Sequence, residues 1–66
     1  MKSEFTVNEV AEMLDLKRKE VLSEMRSGHL GFTMEDDKQI ISLYDLEKYM
    51  GAEHTKLVVD EYLSDS

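Results

Sequence analysis

Cysteine and proline are absent from this chain of 66 residues, which contains only three glycines. Without cysteine it has neither a disulfide framework nor a thiolate metal site, which fits a cytoplasmic location. No apolar run approaches the roughly 20 residues that cross a bilayer, and the opening residues, MKSEF, lack the apolar core of a secretory signal. A chain this short buries only about 60% of the surface that its unfolded form exposes. We therefore expect one small cytoplasmic protein, without a membrane partner, that packing or oligomerisation must stabilise.

The residues of an active site are also missing. No nucleophile lies beside a plausible base, no glycine-rich phosphate loop occurs, and so small a chain has little room for a pocket that excludes water. His29 and His54 have no neighbours at metal-ligand spacing, so surface positions are expected for both. We therefore expect no enzyme, no metal site, no cofactor and no small-molecule substrate.

Basic residues are few and unevenly distributed. Fifteen acidic residues against eight basic ones give a formal net charge of −7. Residues 1–30 carry five bases and six acids, a formal charge of −1, whereas residues 31–66 carry three bases and nine acids, a formal charge of −6. Any contact with phosphate must therefore use the first half, because the second half repels nucleic acid within a Debye length of about 8 Å.

The first half is typical of two helices joined by a tight turn. Thr6 and Glu9 form a capping box, which predicts the start of the first helix. Apolar residues then recur every three or four positions, a break is expected at Asp15, and a second apolar stripe ends at Gly28. The residues of the two stripes are Val7, Val10, Ala11 and Leu14, then Val21, Leu22 and Met25.

Three adjacent cations, Lys17, Arg18 and Lys19, begin the second helix. In a first helical turn they oppose the positive end of the helix dipole, by roughly 0.3 to 1 kcal/mol each when exposed. This placement favours contact with nucleic acid. The alternative is an ordinary solvated helix face that Asp15 and Glu20 partly neutralise.

The second half predicts a hairpin followed by one or two helices. Phe32 and Met34 alternate with smaller residues before an acidic tip, which predicts two short strands. A second capping box, Ser42 with Asp45, predicts a third helix that ends at Gly51. Residues 53–63 are either a fourth helix, which we favour, or a strand. We expect the methionines, including Met34, to fill the core, and Tyr44 and Tyr49 to pack.

Three motifs, in this order and spacing, resemble a known group of small proteins. They are Thr-Val-x-Glu-Val-Ala-x-x-Leu from Thr6, Arg-Ser-Gly-x-Leu from Arg26, and Asp-Leu-Glu-x-Tyr-Met from Asp45. Together they resemble the excisionase and MerR-like family of small winged helix-turn-helix proteins of phages and mobile elements. The resemblance implies a mainly α fold with a small β-hairpin. Its order is helix-turn-helix, two-stranded wing, helix and C-terminal helix, with residues 1–51 as the domain and 52–66 as a C-terminal segment.

The resemblance also implies a function, which is binding to double-stranded DNA. The second helix would enter the major groove and the wing would lie along the adjacent backbone or minor groove. The protein would act as a recombination directionality factor or a transcription regulator. It would act as an oligomer, because a few phosphate contacts bind weakly in one copy. The resemblance assigns contacts in the groove to Arg18, Lys19 and Ser23, and it places Lys17 and Arg26 near phosphates. Lys38, the one base of the wing tip, completes the expected DNA-binding residues.

A second class of function keeps the fold but not the DNA. The acidic second half would then bind a basic protein partner, as an antagonist, a DNA mimic or an assembly adaptor. The cations of the second helix favour DNA, whereas a wing tip with three acids and one lysine favours protein. The candidate residues for contact with a partner or a second copy are Glu35, Asp36, Asp37, Leu57, Val58, Tyr62 and Leu63.

Overall fold

Four helices and a small antiparallel sheet make up the computed structural model, which describes residues 2–64. The mainly helical prediction with a small β-hairpin is confirmed at this level. The residues that favoured either helix or strand at the C-terminal end form a helix. In chain order the elements are β1 (Glu4–Thr6), α1 (Val7–Leu14), α2 (Arg18–Ser27), β2 (Thr33–Glu35), β3 (Lys38–Ser42), α3 (Leu43–Met50) and α4 (Ala52–Ser64).

The predicted capping boxes are both present. At the start of α1, the Thr6 hydroxyl accepts from the Glu9 amide at 3.2 Å, and Glu9 Oε1 accepts from the Thr6 amide at 2.9 Å. At the start of α3, Ser42 and Asp45 make the same two bonds, each 3.0 Å long. Each box pairs two backbone N–H groups that a helix start would otherwise leave without an acceptor. Both helix boundaries were predictable for this reason.

Backbone of left-handed conformation ends the first two helices and makes the hairpin turn. Asp15, at φ 56°, ends α1, and Gly28, at φ 87°, ends α2. Asp36 and Asp37 form the two-residue turn between β2 and β3, with φ of 49° and 67°. Positive φ at both positions is the pattern of a type I′ turn, whose twist matches that of the flanking strands. Aspartate adopts it more readily than most residues.

The sheet has a third strand that sequence patterns did not predict. β3 lies in the centre, with β1 and β2 antiparallel on either side. Phe5 pairs with Ile41, and Met34 pairs with Gln39. A three-residue segment carries no periodicity of its own, and its pairing partner lies more than thirty residues away in the chain. Only tertiary contact defines β1.

The core lies between the sheet and all four helices. Its largest fully buried side chains, each less than 2% exposed, include Thr55 and Val59 of α4, so the C-terminal helix packs into the same core as the rest. The Thr55 hydroxyl donates to the Gly51 carbonyl at 2.7 Å, which satisfies the one buried polar side chain of the described residues. The remaining members of that set are Phe5, Leu30, Ile41, Leu46, Val10 and Val21.

Two packing predictions are wrong. Met34 is 55% exposed and Tyr44 is 64% exposed. The hairpin extends beyond the core, since all three residues of β2 are exposed, and Met34 pairs there with Gln39 across the strands. Tyr44 lies on the outer side of α3, where Lys48 Nζ sits 5.4 Å from the ring centroid. Phe32, before β2, is also 39% exposed.

Candidate nucleic-acid interface

One exposed stripe of α2 brings three of the predicted DNA-binding residues together. Lys19, Ser23 and Arg26 follow at four- and three-residue spacing, so they occupy one face of the helix. With Leu16 and Tyr49 they line a shared groove, which we call the α2 groove. An exposed helix face with two cations and a hydroxyl is the kind of surface that contacts phosphates and base edges.

The start of α2 is capped on one side only. Lys17 is the residue before the helix, and its amide donates to Glu20 Oε1 at 2.8 Å. Lysine has no side-chain oxygen that accepts from the backbone, so the other half of a capping box is missing. Free N–H groups at a helix start, beside Lys17 and Lys19, form a favourable environment for an anion.

Among the described residues, no carboxylate forms an ion pair with a cation of α2. Within residues 2–64 the ion pairs are Lys2 with Glu9, at 2.7 Å, and His29 with Glu24, at 3.6 Å. The second contact is an ion pair only when His29 is protonated. Lys17, Lys19 and Arg26 therefore keep their charge available to a ligand.

Arg18 lies apart from the α2 groove. Its guanidinium donates to Asn8 Oδ1, which holds the side chain against the start of α1. Asn8 is neutral, so the positive charge is retained there beside a second helix N-terminus. This position fits a contact with the phosphate backbone better than the base contact that the family resemblance implies.

Two carboxylates also line the α2 groove, and both are engaged. Glu20 accepts from the Lys17 amide, and Glu24 Oε2 accepts from the Tyr49 hydroxyl at 3.0 Å. Burial, together with this hydrogen bond, raises the pKa of Tyr49, so its hydroxyl stays a donor. The groove is thus balanced in formal charge, but its acids have partners while its cations have none of opposite charge among the described residues.

The hairpin lies beside α2. Phe32 and Gln39 line a second groove together with Leu22, Met25 and Arg26. Arg26 borders both grooves, which places it between the helix face and the hairpin. The hairpin tip, residues 35–38, is exposed, and Glu35 pairs with Lys38 across the strands. Lys38 therefore lies among three acids rather than with the α2 cations.

The predicted contact residues of α4 do not form one surface. Leu57 is 69% exposed, whereas Val58 and Tyr62 line a groove against α1. The Tyr62 hydroxyl donates to Glu12 Oε2 at 3.2 Å. Leu63 is half-buried against the core. Of this set, only Leu57 is left largely exposed to solvent.

Sequence patterns missed Asn8 and Tyr49 as parts of this site. Asn8 reaches Arg18 across ten residues of chain, and Tyr49 reaches Glu24 across twenty-five. Neither pair has a spacing that a helix or strand repeat would predict. The one available signal was the exposed position of Asn8 in the first turn of α1, two residues after the capping threonine.

Comparison with family models, curated proteins and solved structures finds no match to this chain. The residues that the structure describes include no helix long and apolar enough to span a membrane. The same residues contain no group of three or more histidine, aspartate or glutamate side chains placed to hold a metal ion.

Proposed function

We propose that this protein binds double-stranded DNA as a winged helix-turn-helix of the excisionase and MerR-like type. The observation that supports this most is the stripe of Lys19, Ser23 and Arg26 on the exposed face of α2, with both cations free of ion pairs among the described residues. Nothing in this function requires catalysis or a cofactor.

The proposed contacts divide into two kinds. Ser23 and Arg26 face the bases of the major groove, since they lie in the middle and last turns of the exposed stripe. Lys17, Arg18 and Lys19 meet phosphates around the start of α2, where free backbone N–H groups add to the attraction. The hairpin is the wing. Its side toward α2, with Gln39, lies near the DNA, while its acidic tip is directed away from phosphate.

One copy is expected to bind weakly. Three phosphate contacts, from Lys17, Arg18 and Lys19, give a log–log salt slope of about −2.7. Useful affinity then comes from several copies on one DNA, or from a partner that tethers the protein there. Recombination directionality and transcription regulation are the roles for which such assemblies are suited.

Fluorescence anisotropy with a labelled random duplex at two salt concentrations tests this proposal. The variant Lys19→Glu with Arg26→Glu is expected to bind much more weakly than wild type and with a shallower salt slope. Lys48→Glu with Lys56→Glu is the matched control, because it makes the same change of net charge on α3 and α4, outside the α2 groove. Circular dichroism confirms that both variants fold.

Equal loss of binding in the two variants would show that only net charge matters, and would contradict a site on α2. Wild-type protein that does not bind duplex at low salt would contradict the proposed function altogether.

A second candidate function is binding of a basic protein by the hairpin. Phe32 and Met34 are 39% and 55% exposed beside the acidic tip, so apolar contact and negative charge are available together. An arginine-rich peptide is the probe. Amide NMR shifts confined to residues 32–38, abolished by Asp36→Asn with Asp37→Asn, would support this candidate. Shifts spread evenly over all acidic residues would count against it.

A further inference from the structure

The hairpin tip and the α2 groove have opposite chemistry. The tip exposes three carboxylates, on Glu35, Asp36 and Asp37, beside the largely exposed Met34. The groove carries Lys19 and Arg26 together with the apolar side chain of Leu16 and the Tyr49 ring. Its two carboxylates, Glu20 and Glu24, already accept hydrogen bonds. A protruding acidic group with one apolar side chain is the kind of ligand that such a groove accepts.

The two surfaces do not meet within one copy. No ion pair joins Glu35, Asp36 or Asp37 to a cation of α2 anywhere in residues 2–64. The residues of the hairpin that adjoin α2 are Phe32 and Gln39, which contribute no charge. Both surfaces therefore remain available to another molecule.

We propose that the hairpin tip of one copy docks into the α2 groove of a second copy. Glu35 and the two aspartates of the turn approach Lys19 and Arg26, and Met34 contacts the apolar part of the groove. The second copy is the chosen occupant because its tip offers three carboxylates to Lys19 and Arg26, which have no ion-pair partner among the described residues. The left-handed turn residues make a tight two-residue tip, which loses little conformational freedom on docking.

This contact uses a different surface on each copy, so it is heterologous. Each copy that offers its tip leaves its own groove open, and the assembly grows head to tail rather than closing as a symmetric pair, unless its rotation closes a ring. A single hairpin buries much less than the roughly 1,200 to 2,000 Å² of a stable interface. We therefore expect weak association that depends on protein concentration and weakens as salt screens the charges.

The contact also competes with DNA, a consequence that rests on the proposed function. Lys19 and Arg26 cannot serve a carboxylate and the DNA at the same time. Self-association is thus a reversible block of the DNA-binding face, and duplex DNA releases it.

Sedimentation velocity with the full chain and two charge-exchanged variants tests the inference. The tip variant carries Glu35→Lys, Asp36→Asn and Asp37→Asn, with asparagine chosen because it tolerates the positive φ of the turn. The groove variant carries Lys19→Glu and Arg26→Glu. Each variant alone places like charges opposite each other. We expect its association to be weaker than that of wild type by about tenfold or more.

The mixture of the two variants is the decisive sample. The altered tip of one then faces the altered groove of the other with opposite charge, so association is expected to return. The control, Lys48→Glu with Lys56→Glu, is expected to associate as wild type does. Circular dichroism establishes that every variant is folded before it is mixed.

Each result decides the question. Wild type that stays monomeric at low salt and high concentration overturns the inference, as does a mixture that stays monomeric. Association that stops at a dimer overturns open head-to-tail growth, because it requires a closed pair in which the two copies exchange tips. Protein that associates without DNA but does not bind duplex leaves the inference standing and removes the proposed function; monomeric protein that binds duplex does the reverse.

Discussion

Two helix starts in this molecule follow one pattern, and a third departs from it. α1 and α3 begin after Thr6 and Ser42, whose hydroxyls accept from the backbone while an acid three residues later completes the box. α2 begins after Lys17 and keeps only the half that Glu20 supplies. The chain thus has a complete capping box at two helix starts and lacks one at the start of α2, where the three cations lie.

The difference teaches that the start of α2 is not arranged for helix stability. A capping residue with an oxygen is worth typically about 1 kcal/mol, and each exposed cation in the first turn costs roughly 0.3 to 1 kcal/mol. In so small a domain these amounts are a large part of the stability margin. The proposed phosphate contact, which needs positive charge at this position, would explain the departure.

Removing the cations should separate binding from stability most clearly. In Lys17→Ala with Lys19→Ala, duplex affinity near 0.1 M salt is expected to fall roughly tenfold for each lost contact. The free energy of unfolding is expected to hold or rise, because the dipole is no longer opposed. Anisotropy and urea unfolding measure the two quantities. Lys48→Ala with Lys56→Ala should leave affinity close to that of wild type, and a comparable loss there would remove the contrast between the helices.

Breaking the complete capping box of α3 should lower stability, whereas the matched change at α2 removes no side-chain cap. Ser42→Ala is expected to lower the free energy of unfolding by about 1 kcal/mol, and by up to about 2 because the site is half-buried. In a domain of this size that amounts to a fall in Tm of about 4 to 8 °C per kcal/mol. Lys17→Ala is the matched change at α2. A fall in Tm after Lys17→Ala as large as that after Ser42→Ala would contradict the comparison.

Completing the capping box of α2 should give all three helix starts the same two hydrogen bonds and should stabilise the protein. Lys17→Asp places an accepting oxygen before Arg18 and keeps the bond from Glu20, so the unfolding free energy should rise by roughly 0.5 to 1 kcal/mol. Thermal unfolding followed by circular dichroism measures the change. Lys48→Asp is the control for the change of net charge. An equal rise in both variants would assign the gain to net charge and not to the cap.

The smallest expected effect is a pH dependence at the start of α1. Burial alone would raise the pKa of Glu9, but the Lys2 ammonium and the Thr6 amide more than offset it, so this pKa lies below its ordinary value of 4.5. A lowered folded-state pKa stabilises the protein above pH 4.5 and loses that contribution as the pH falls through the folded value. Urea unfolding across this range should show the loss.

The matched variant for this last test is Glu9→Gln, which keeps the hydrogen bond of the capping box but carries no charge. Its acid-dependent loss of stability is expected to be smaller than that of wild type. An unchanged pH profile would assign the effect to other carboxylates.

Local patterns predicted most helix boundaries because their causes are local. The boxes at Thr6 and Ser42, and the left-handed residues Asp15 and Gly28, each act within about four residues of chain. The exposure of Met34 and Tyr44 could not be predicted in the same way. Periodicity shows that a side chain alternates or repeats, but it does not show how far the core extends beneath it.

In the candidate site, too, the sequence predicted the features that depend on one helix and missed the contacts between distant residues. Sequence placed Lys19, Ser23 and Arg26 on one helix, and the spacing that puts them on a single face follows from helix geometry. It did not show that Arg18 turns toward Asn8 and leaves that face. Nor did it show that Tyr49 holds Glu24, which keeps that carboxylate engaged beside the cations.

The sequence by itself determined the first three helices, the capping boxes of α1 and α3, the acidic turn and the uneven distribution of charge, because these depend on neighbours a few residues apart. Only the tertiary structure decided that a three-residue strand joins β3 and that the hairpin extends past the core. It also decided that the cations of the α2 groove have no ion-pair partner within residues 2–64. These features arise where distant segments meet, and contact between them depends on the packing of the whole chain. The sequence showed the carboxylates of the hairpin tip and the cations of α2, but it did not show that they lie apart within one copy.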